Sequence, residues 1–276
     1  MTTFKNDLTV ETLRPLPGQN PHLLTAKQMA QFVTDGFLMV ENLVPDELNR
    51  QVLEDERRWP DTNYHFWGKS AAVRAVFDLP QVKGIMEGFL GPNSIYDHSY
   101  LHFVKAQNHK AQNWHADSVI DTRPLGFDIQ AFYFSHDAPK EMGPTLVLPG
   151  SHMRKTNTSS IGRYRNFIGQ RQLATTAGTI VFMHHGIWHC AQPNFTDTDR
   201  YVFKLRLRPG QPQRGLFNLE GYTSPEVTGI IENGYQVWQG NEDRLEHIQR
   251  GKLWRYVTGD DSVDVSFEGS LTRMGI

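Results

Sequence analysis

Between Ser94 and Pro209 the chain is written as short apolar runs cut apart by Gly, Pro, Asn and Asp: YLHFVKAQ, IQAFYFSHDAP, TLVLPGS, GTIVFMHH, IWHCAQP and RYVFKLRLRP. Many short strands with turn residues between them predict an antiparallel sandwich or barrel. The flanks read differently. In LTAKQMAQFVTDGF, Thr25 and Gln28 form a capping box, Met29, Phe32 and Val33 share a face, and Gly36 supplies the stop. FLMVENLV follows as a strand, and PDELNRQVLEDERRW as a helix with Pro45 at its start and Leu48, Val52 and Leu53 inward. Beyond Pro209, SPEVTGIIENGYQVW opens on the cap pair Ser224 and Pro225, and NEDRLEHIQRGKLWRYVTGD begins at Asn241 with acids in its first turn and Arg255 near its end. The expected fold is mainly β with flanking helices, in one domain. An irregular arm spans 1–22, a helix and strand cover 23–93, the strand core 94–209 and a helical extension 210–276.

Bulk properties narrow the function. A net charge of −2 over 276 residues gives no electrostatic case for nucleic acid or an anionic membrane. The single Cys190 excludes an internal disulfide framework and suits a reducing compartment. No apolar run approaches the roughly 18 residues that span a bilayer. The opening residues show no basic region ahead of an apolar core. These features predict a cytoplasmic protein, a monomer or homodimer, acting on a small molecule.

Two stretches carry chemistry. In NWHADS, His115 and Asp117 stand at i and i+2; on extended backbone they share a face about 7 Å apart. Side chains of that length can converge on one ion about 2.0–2.2 Å from each ligand atom. Taken alone, such a pair arises easily by chance. The second stretch, GTIVFMHHGIWHCAQPNFTDTDR, holds His184, His185 and His189, with Arg200 eleven residues after the last. Two His and one carboxylate with open positions is the ligand set of non-haem Fe(II) oxygenases, though zinc hydrolases also use three ligands. In RYVFKLRLR, Tyr201, Phe203, Leu205 and Leu207 share one face, and Arg200, Val202, Lys204 and Arg206 the other. A simple two-layer sheet would turn Arg200 to solvent.

At these residues the chain resembles the phytanoyl-CoA dioxygenase-like family of Fe(II)/2-oxoglutarate-dependent oxygenases. LTAKQMAQFVTDGFLMVENLVPDEL looks like the family's opening helix, strand and helix, and FVKAQNHKAQNWHADS like its lysine-bearing strand and first metal motif. EMGPTLVLPGSH and GTIVFMHHGIWHCAQPNFTDTDR resemble its Pro-Gly-Ser-His signature and distal ligand strand. The resemblance implies a double-stranded β-helix, a cupin-like jelly roll. It implies Fe(II) held by the catalytic ligands His115, Asp117 and His189, with His185 the next candidate, and O2 and 2-oxoglutarate as cosubstrates. Arg200 would grip the far carboxylate of 2-oxoglutarate and Lys105 would be a second contact. A guanidinium matches a carboxylate with two parallel bonds, and Arg200 faces inward if the aliphatic face of its strand packs under the helices. Because family members that halogenate lack the carboxylate, Asp117 favours hydroxylation, desaturation or cyclisation. Rival readings are a zinc-dependent hydrolase on the same ligands and a non-catalytic jelly-roll binding module.

Lesser features receive blander expectations. His152 is read as structural, Lys204 and Arg206 as rim or surface charges, and NYHFWGK (63–69) as a small core under a loop or a pocket border. The basic loop 152–174, with Arg154, Lys155, Arg163, Arg165 and Arg171, is read as a solvated face or, more sharply, as a mobile lid recruiting an anionic substrate. The extension 210–276 is read as roofing the site or forming a dimer contact through Trp238, Trp254 and Tyr256, with the blander alternative that such single aromatics belong to the core.

Overall fold

The computed structural model describes residues 20–118, 125–154, 156–233 and 241–263. The arm before residue 20, Lys155 and Trp238 lie outside that range. Along the chain come helix α1 (Ala26–Asp35), strand β1 (Phe37–Val40), helices α2 (Asp46–Arg58), α3 (Phe66–Lys69), α4 (Ala71–Asp78) and α5 (Pro80–Leu90), then β2 (Ile95–Val104), β3 (Ile129–Phe134) and β4 (Leu146–Val147). A short α6 (Thr158–Ile161) precedes β5 (Arg171–Gln172), β6 (Thr179–His184), β7 (His189–Cys190) and β8 (Arg200–Arg208), and the chain returns to helix in α7 (Pro225–Glu232) and α8 (Asn241–Thr258).

Local chemistry sets the opening. The Thr25 and Gln28 side chains cap α1 reciprocally, and Gly36 ends it with φ of 81°. A Cβ at Gly36 would also lie 2.4 Å from Nδ1 of His152, so only glycine lets the Pro-Gly-Ser-His turn seat against the helix end. There His152 bonds the Val33 carbonyl through Nε2 at 3.1 Å, which makes it structural, as expected. On α2 the innermost residues are Asn49, Val52 and Glu56, whereas Leu48 and Leu53 are only half-buried. That face is partly polar because it meets polar groups of β3 and the residue after it: Tyr133 donates to Asn49 at 2.7 Å, and Ser135 to Glu56. The helices α4 and α5 were not foreseen.

Among the described residues, eight strands form two antiparallel sheets, a five-stranded one in the order β1-β6-β3-β8-β2 and a three-stranded one in the order β5-β4-β7. An isolated bridge between His115 and His189 adds one more residue to the edge of the small sheet. The large sheet is covered on both faces, which is why its strands read as nearly continuous apolar runs. Ile129, Ala131, Tyr133, Ile180, Phe182, Tyr201, Phe203, Leu205 and Leu207 pack with the helices, Trp67 stacking on Phe203 at 5.9 Å. Phe132, Phe134, Val181, Met183 and Val202 point the other way, toward Val147 of the small sheet. This is the double-stranded β-helix, a jelly roll with helices on its outer face.

Two expectations about the periphery change. The 152–174 loop closes the outer face of the small sheet: Ile161 is buried with Trp114 and Trp188, Phe167 meets Trp114 edge-on at 5.2 Å, and Trp114 donates to the Arg165 carbonyl at 3.1 Å. Arg154 pairs with Glu242 on α8, while Arg163 and Arg165 are exposed. In the extension, Trp254 is buried and belongs to the core, and the Tyr256 hydroxyl accepts from the Gln213 amide at 3.1 Å. No described residue of 152–174 or 210–263 lines the cavity between the sheets. Among the described residues, no helix is long and apolar enough to cross a membrane.

Candidate metal centre

His115, Asp117 and His189 converge. Their ligand atoms all lie within 4.8 Å of one another, with Nε2 of His115 3.6 Å from Oδ1 of Asp117 and Nε2 of His189 3.9 Å from Oδ2. The backbone explains the convergence. His115 and His189 exchange both amide hydrogen bonds, at 3.0 and 2.9 Å, which sets them opposite each other with rings 4.3 Å apart. Alternation then sends their neighbours outward: Trp114, Trp188 and Cys190 pack on the outer face of the small sheet while both imidazoles face in.

The ring nitrogens are sorted by the same backbone. Nδ1 of His115 lies 2.8 Å from the Asn113 carbonyl and Nδ1 of His189 3.0 Å from the Ile187 carbonyl. A carbonyl only accepts, so both Nδ1 atoms carry hydrogen and both Nε2 lone pairs are left for a cation. Burial pushes the His189 imidazole down to about 4, keeping it the neutral base a metal requires. Burial works against ionising Asp117, but His189, Lys204 and His115 around it hold its carboxyl below the usual carboxylate range. Two neutral imidazoles and a carboxylate, open to a cavity, fit a divalent iron with free positions.

The cavity is about 430 Å³ and reaches from this cluster to Arg200. Its floor is the inner face of β8 and β2, where Arg200 pairs in register with Val104, Val202 with His102, and Lys204 with Tyr100. Arg200 is 2% exposed. Burial lowers its guanidinium to about 10, which leaves it charged. One guanidinium nitrogen donates to the Met142 carbonyl at 3.1 Å, and its Nε has no partner among the described residues. The helices supply the outer cover, so the inward parity of Arg200 holds. Two turns fix its approach. Asn194 is fully buried; it donates to the Lys105 and Thr198 carbonyls and accepts from the Thr196 amide. Gly143, with φ of 69°, lets the turn carrying Met142 lie against Pro193, whose carbonyl would be 1.9 Å from a Cβ.

Other expected residues fall elsewhere. Lys105 is exposed just past the end of β2 and does not line the cavity; its carbonyl, not its ammonium, is what Asn194 uses. His184 accepts from the Gly186 amide and His185 bonds Asp128, so both serve the turn before His189. Lys204, expected at the rim, has a side chain only 12% exposed and lies 3.2 Å from Asp117 Oδ2. His102, overlooked, lines the cavity with its Nε2 buried and without a partner among the described residues. Both sit at i+2 parity from Arg200 or its cross-strand neighbour, a signal available once that face was taken as inner. Of the segment 63–69, Asn63 borders the cavity mouth and Phe66 is core. A second cluster, Asp243, Glu246 and His247, already holds a cationic group, since Arg250 bonds Glu246 at 2.6 and 2.8 Å and His247 at 2.8 Å.

Comparisons with known proteins bear on the fold and the family. Comparison with curated protein sequences gives no significant match. Solved structures with the same fold include the non-heme alpha ketoglutarate dependent epimerase SnoN from nogalamycin biosynthesis, with TM-score 0.56 and 17% identity over 66% of this chain and 82% of that one. HygX from Streptomyces hygroscopicus, solved with nickel and 2-oxoglutarate bound, gives 0.57 and 14% over 68% and 87%. EctD from S. alaskensis gives 0.58 and 15% over 71% and 80%. At these identities the likeness speaks for the fold. The family model described as phytanoyl-CoA dioxygenase (PhyH) matches residues 21–202, a span that contains the whole metal cluster and Arg200. The chain therefore belongs to the phytanoyl-CoA dioxygenase family and is a 2-oxoglutarate-dependent non-haem iron oxygenase, with Fe(II) as cofactor and O2 and 2-oxoglutarate as cosubstrates.

Proposed function

We propose that this oxygenase binds Fe(II) through His115, Asp117 and His189, holds 2-oxoglutarate against Arg200, and oxidises a small organic molecule with release of succinate and CO2. The observation that carries the assignment is the pair of carbonyl bonds to Nδ1 of His115 and His189, which leaves two Nε2 lone pairs and one carboxylate facing a single point at the cavity's inner end. Bound there, iron with 2-oxoglutarate supplies the oxidising power. The chain's own groups do the rest. Arg200, buried and with an Nε that has no partner among the described residues, offers a charge-assisted contact for the cosubstrate's far carboxylate. Phe132, Val104 and Val202 line the space with apolar surface, which excludes water and limits side reactions.

Asp117 supports an oxidation that ends in hydroxylation, desaturation or cyclisation, since a carboxylate fills the position that a halide would need. A zinc hydrolase on the same ligands would need a general base at the metal. Among described residues lining the cavity, the other carboxylate is Asp61, exposed at the mouth. The test is succinate formation from 2-oxoglutarate with Fe(II) and air. Wild-type protein should release succinate even without primary substrate, slowly, and His189→Ala should release none above background. Equal release by the two proteins would refute the assignment.

A further inference from the structure

Among the described residues, the charges enclosed in the cavity do not balance, and this points to its substrate. Among the described residues, three charged side chains are enclosed in it: Arg200, Lys204 and Asp117. Asp61 and Lys110 also line it, but both are exposed at the mouth and opposite in sign. His102, on the wall, adds no charge, because burial keeps its imidazole neutral. On the functional reading above, on which this inference rests, a divalent iron and a dianionic cosubstrate cancel. Asp117 brings one negative charge against two positive ones, those of Arg200 and of Lys204, its ion-pair partner at 3.2 Å with a side chain 12% exposed. One positive charge is left over, and an enclosed surplus charge is costly unless a ligand brings the counter-charge.

We propose that Lys204 anchors a carboxylate, or another singly charged anion, on the primary substrate, so that the enzyme takes a small monoanion. The placement supports it. Lys204 is four residues beyond Arg200 on the same face of β8, so the two cations serve different ends of the cavity. Arg200 lies at the Met142 turn, and Lys204 touches the metal ligand Asp117 at 3.2 Å. An anion bound to Lys204 therefore brings its own neighbouring C–H bonds beside the metal. His102 stands one inward position along β2 from Tyr100, the register partner of Lys204. Its Nε2, without a partner among the described residues, gives the second oxygen of a carboxylate a neutral partner, completing the site without adding charge. A cavity of about 430 Å³ must hold cosubstrate and substrate together, which restricts the buried part of the substrate to a short acid.

The test uses the whole chain, loaded anaerobically with Fe(II) and saturating 2-oxoglutarate, whose weak visible charge-transfer band reports the iron surroundings. Propionate, butyrate and benzoate are titrated against propionamide, butyramide and benzamide, with the band required to shift and not to bleach. The acids should bind at least tenfold more tightly than the amides. Lys204→Met should erase that preference and Lys204→Arg should keep most of it. No band in the wild type would overturn the functional reading and this inference together. A normal band with acids and amides binding alike, or a preference that survives in Lys204→Met, would overturn the anchor alone. The wild-type comparison decides the point even if a variant loses iron.

Discussion

His115 and His189 illustrate how little the residue type says until the backbone is known. Three other histidines on neighbouring positions, 184, 185 and 152, do structural work through their ring nitrogens, and only the pair with Nδ1 tied to a carbonyl two residues back presents Nε2 to a shared point. The HxD spacing, the Arg eleven residues past His189 and the order of motifs were legible in the sequence. The enclosed position of Lys204 was not. The resemblance offers Lys105 as a second contact to the cosubstrate, but Lys105 falls one residue beyond β2, is exposed and does not line the cavity. Lys204 reads as a rim or surface charge until the inner face of β8 is known, and its side chain proves to be only 12% exposed. Two substitutions separate these roles. Arg200→Lys keeps the charge but not the planar fork, and should weaken 2-oxoglutarate binding by about tenfold or more in calorimetric titration. Lys105→Ala should leave that affinity within about twofold.

At the scale of elements, the strands of the core announced themselves because each is bounded by turn residues, and the caps of α1 and α7 and the acidic first turn of α8 because their chemistry is local. What escaped was decided at longer range. The helices α4 and α5 bury Val73, Phe77, Val82 and Phe89 against the large sheet and its cover, and the 152–174 loop is fixed by Ile161 and Phe167 against two tryptophans far away in sequence. Alternation along β8 could be read, but not which face was inner, because that depends on whether helices cover the sheet. The turn at Gly143 offers an element-scale prediction. Alanine there meets both a positive φ and the Pro193 carbonyl at 1.9 Å, so the turn must shift and carry the Met142 carbonyl away from Arg200. Gly143→Ala should lower thermal stability by several degrees and raise the apparent KM for 2-oxoglutarate. Thr25→Ala, which removes the α1 cap far from the site, should cost about 1 kcal/mol of stability in denaturant unfolding and leave that KM unchanged.

For the molecule as a whole, stability and function draw on separate cores: one between helices and the large sheet, another between the sheets, where the cavity lies. Glu56 belongs to the first. Burial raises its carboxyl from 4.5 to about 8, offset only in part by the Ser135 hydroxyl and the charge of Arg57. The folded state therefore prefers the protonated acid, and the stability this lends is present below about pH 4.5 and lost as pH rises through about 8. Glu56→Gln should flatten that decline, so its melting temperature should exceed the wild type's by several degrees at pH 9 and match it more nearly at pH 5. The functional claim stands on the other core, and one measurement addresses it most directly: anaerobic titration of the metal-free protein with Fe(II) in the presence of 2-oxoglutarate. The visible charge-transfer band should rise to an end point of one iron per chain in the wild type and be missing in His115→Ala, Asp117→Ala and His189→Ala. A colourless wild type, or a full band in any of the three variants, would contradict a centre built from His115, Asp117 and His189.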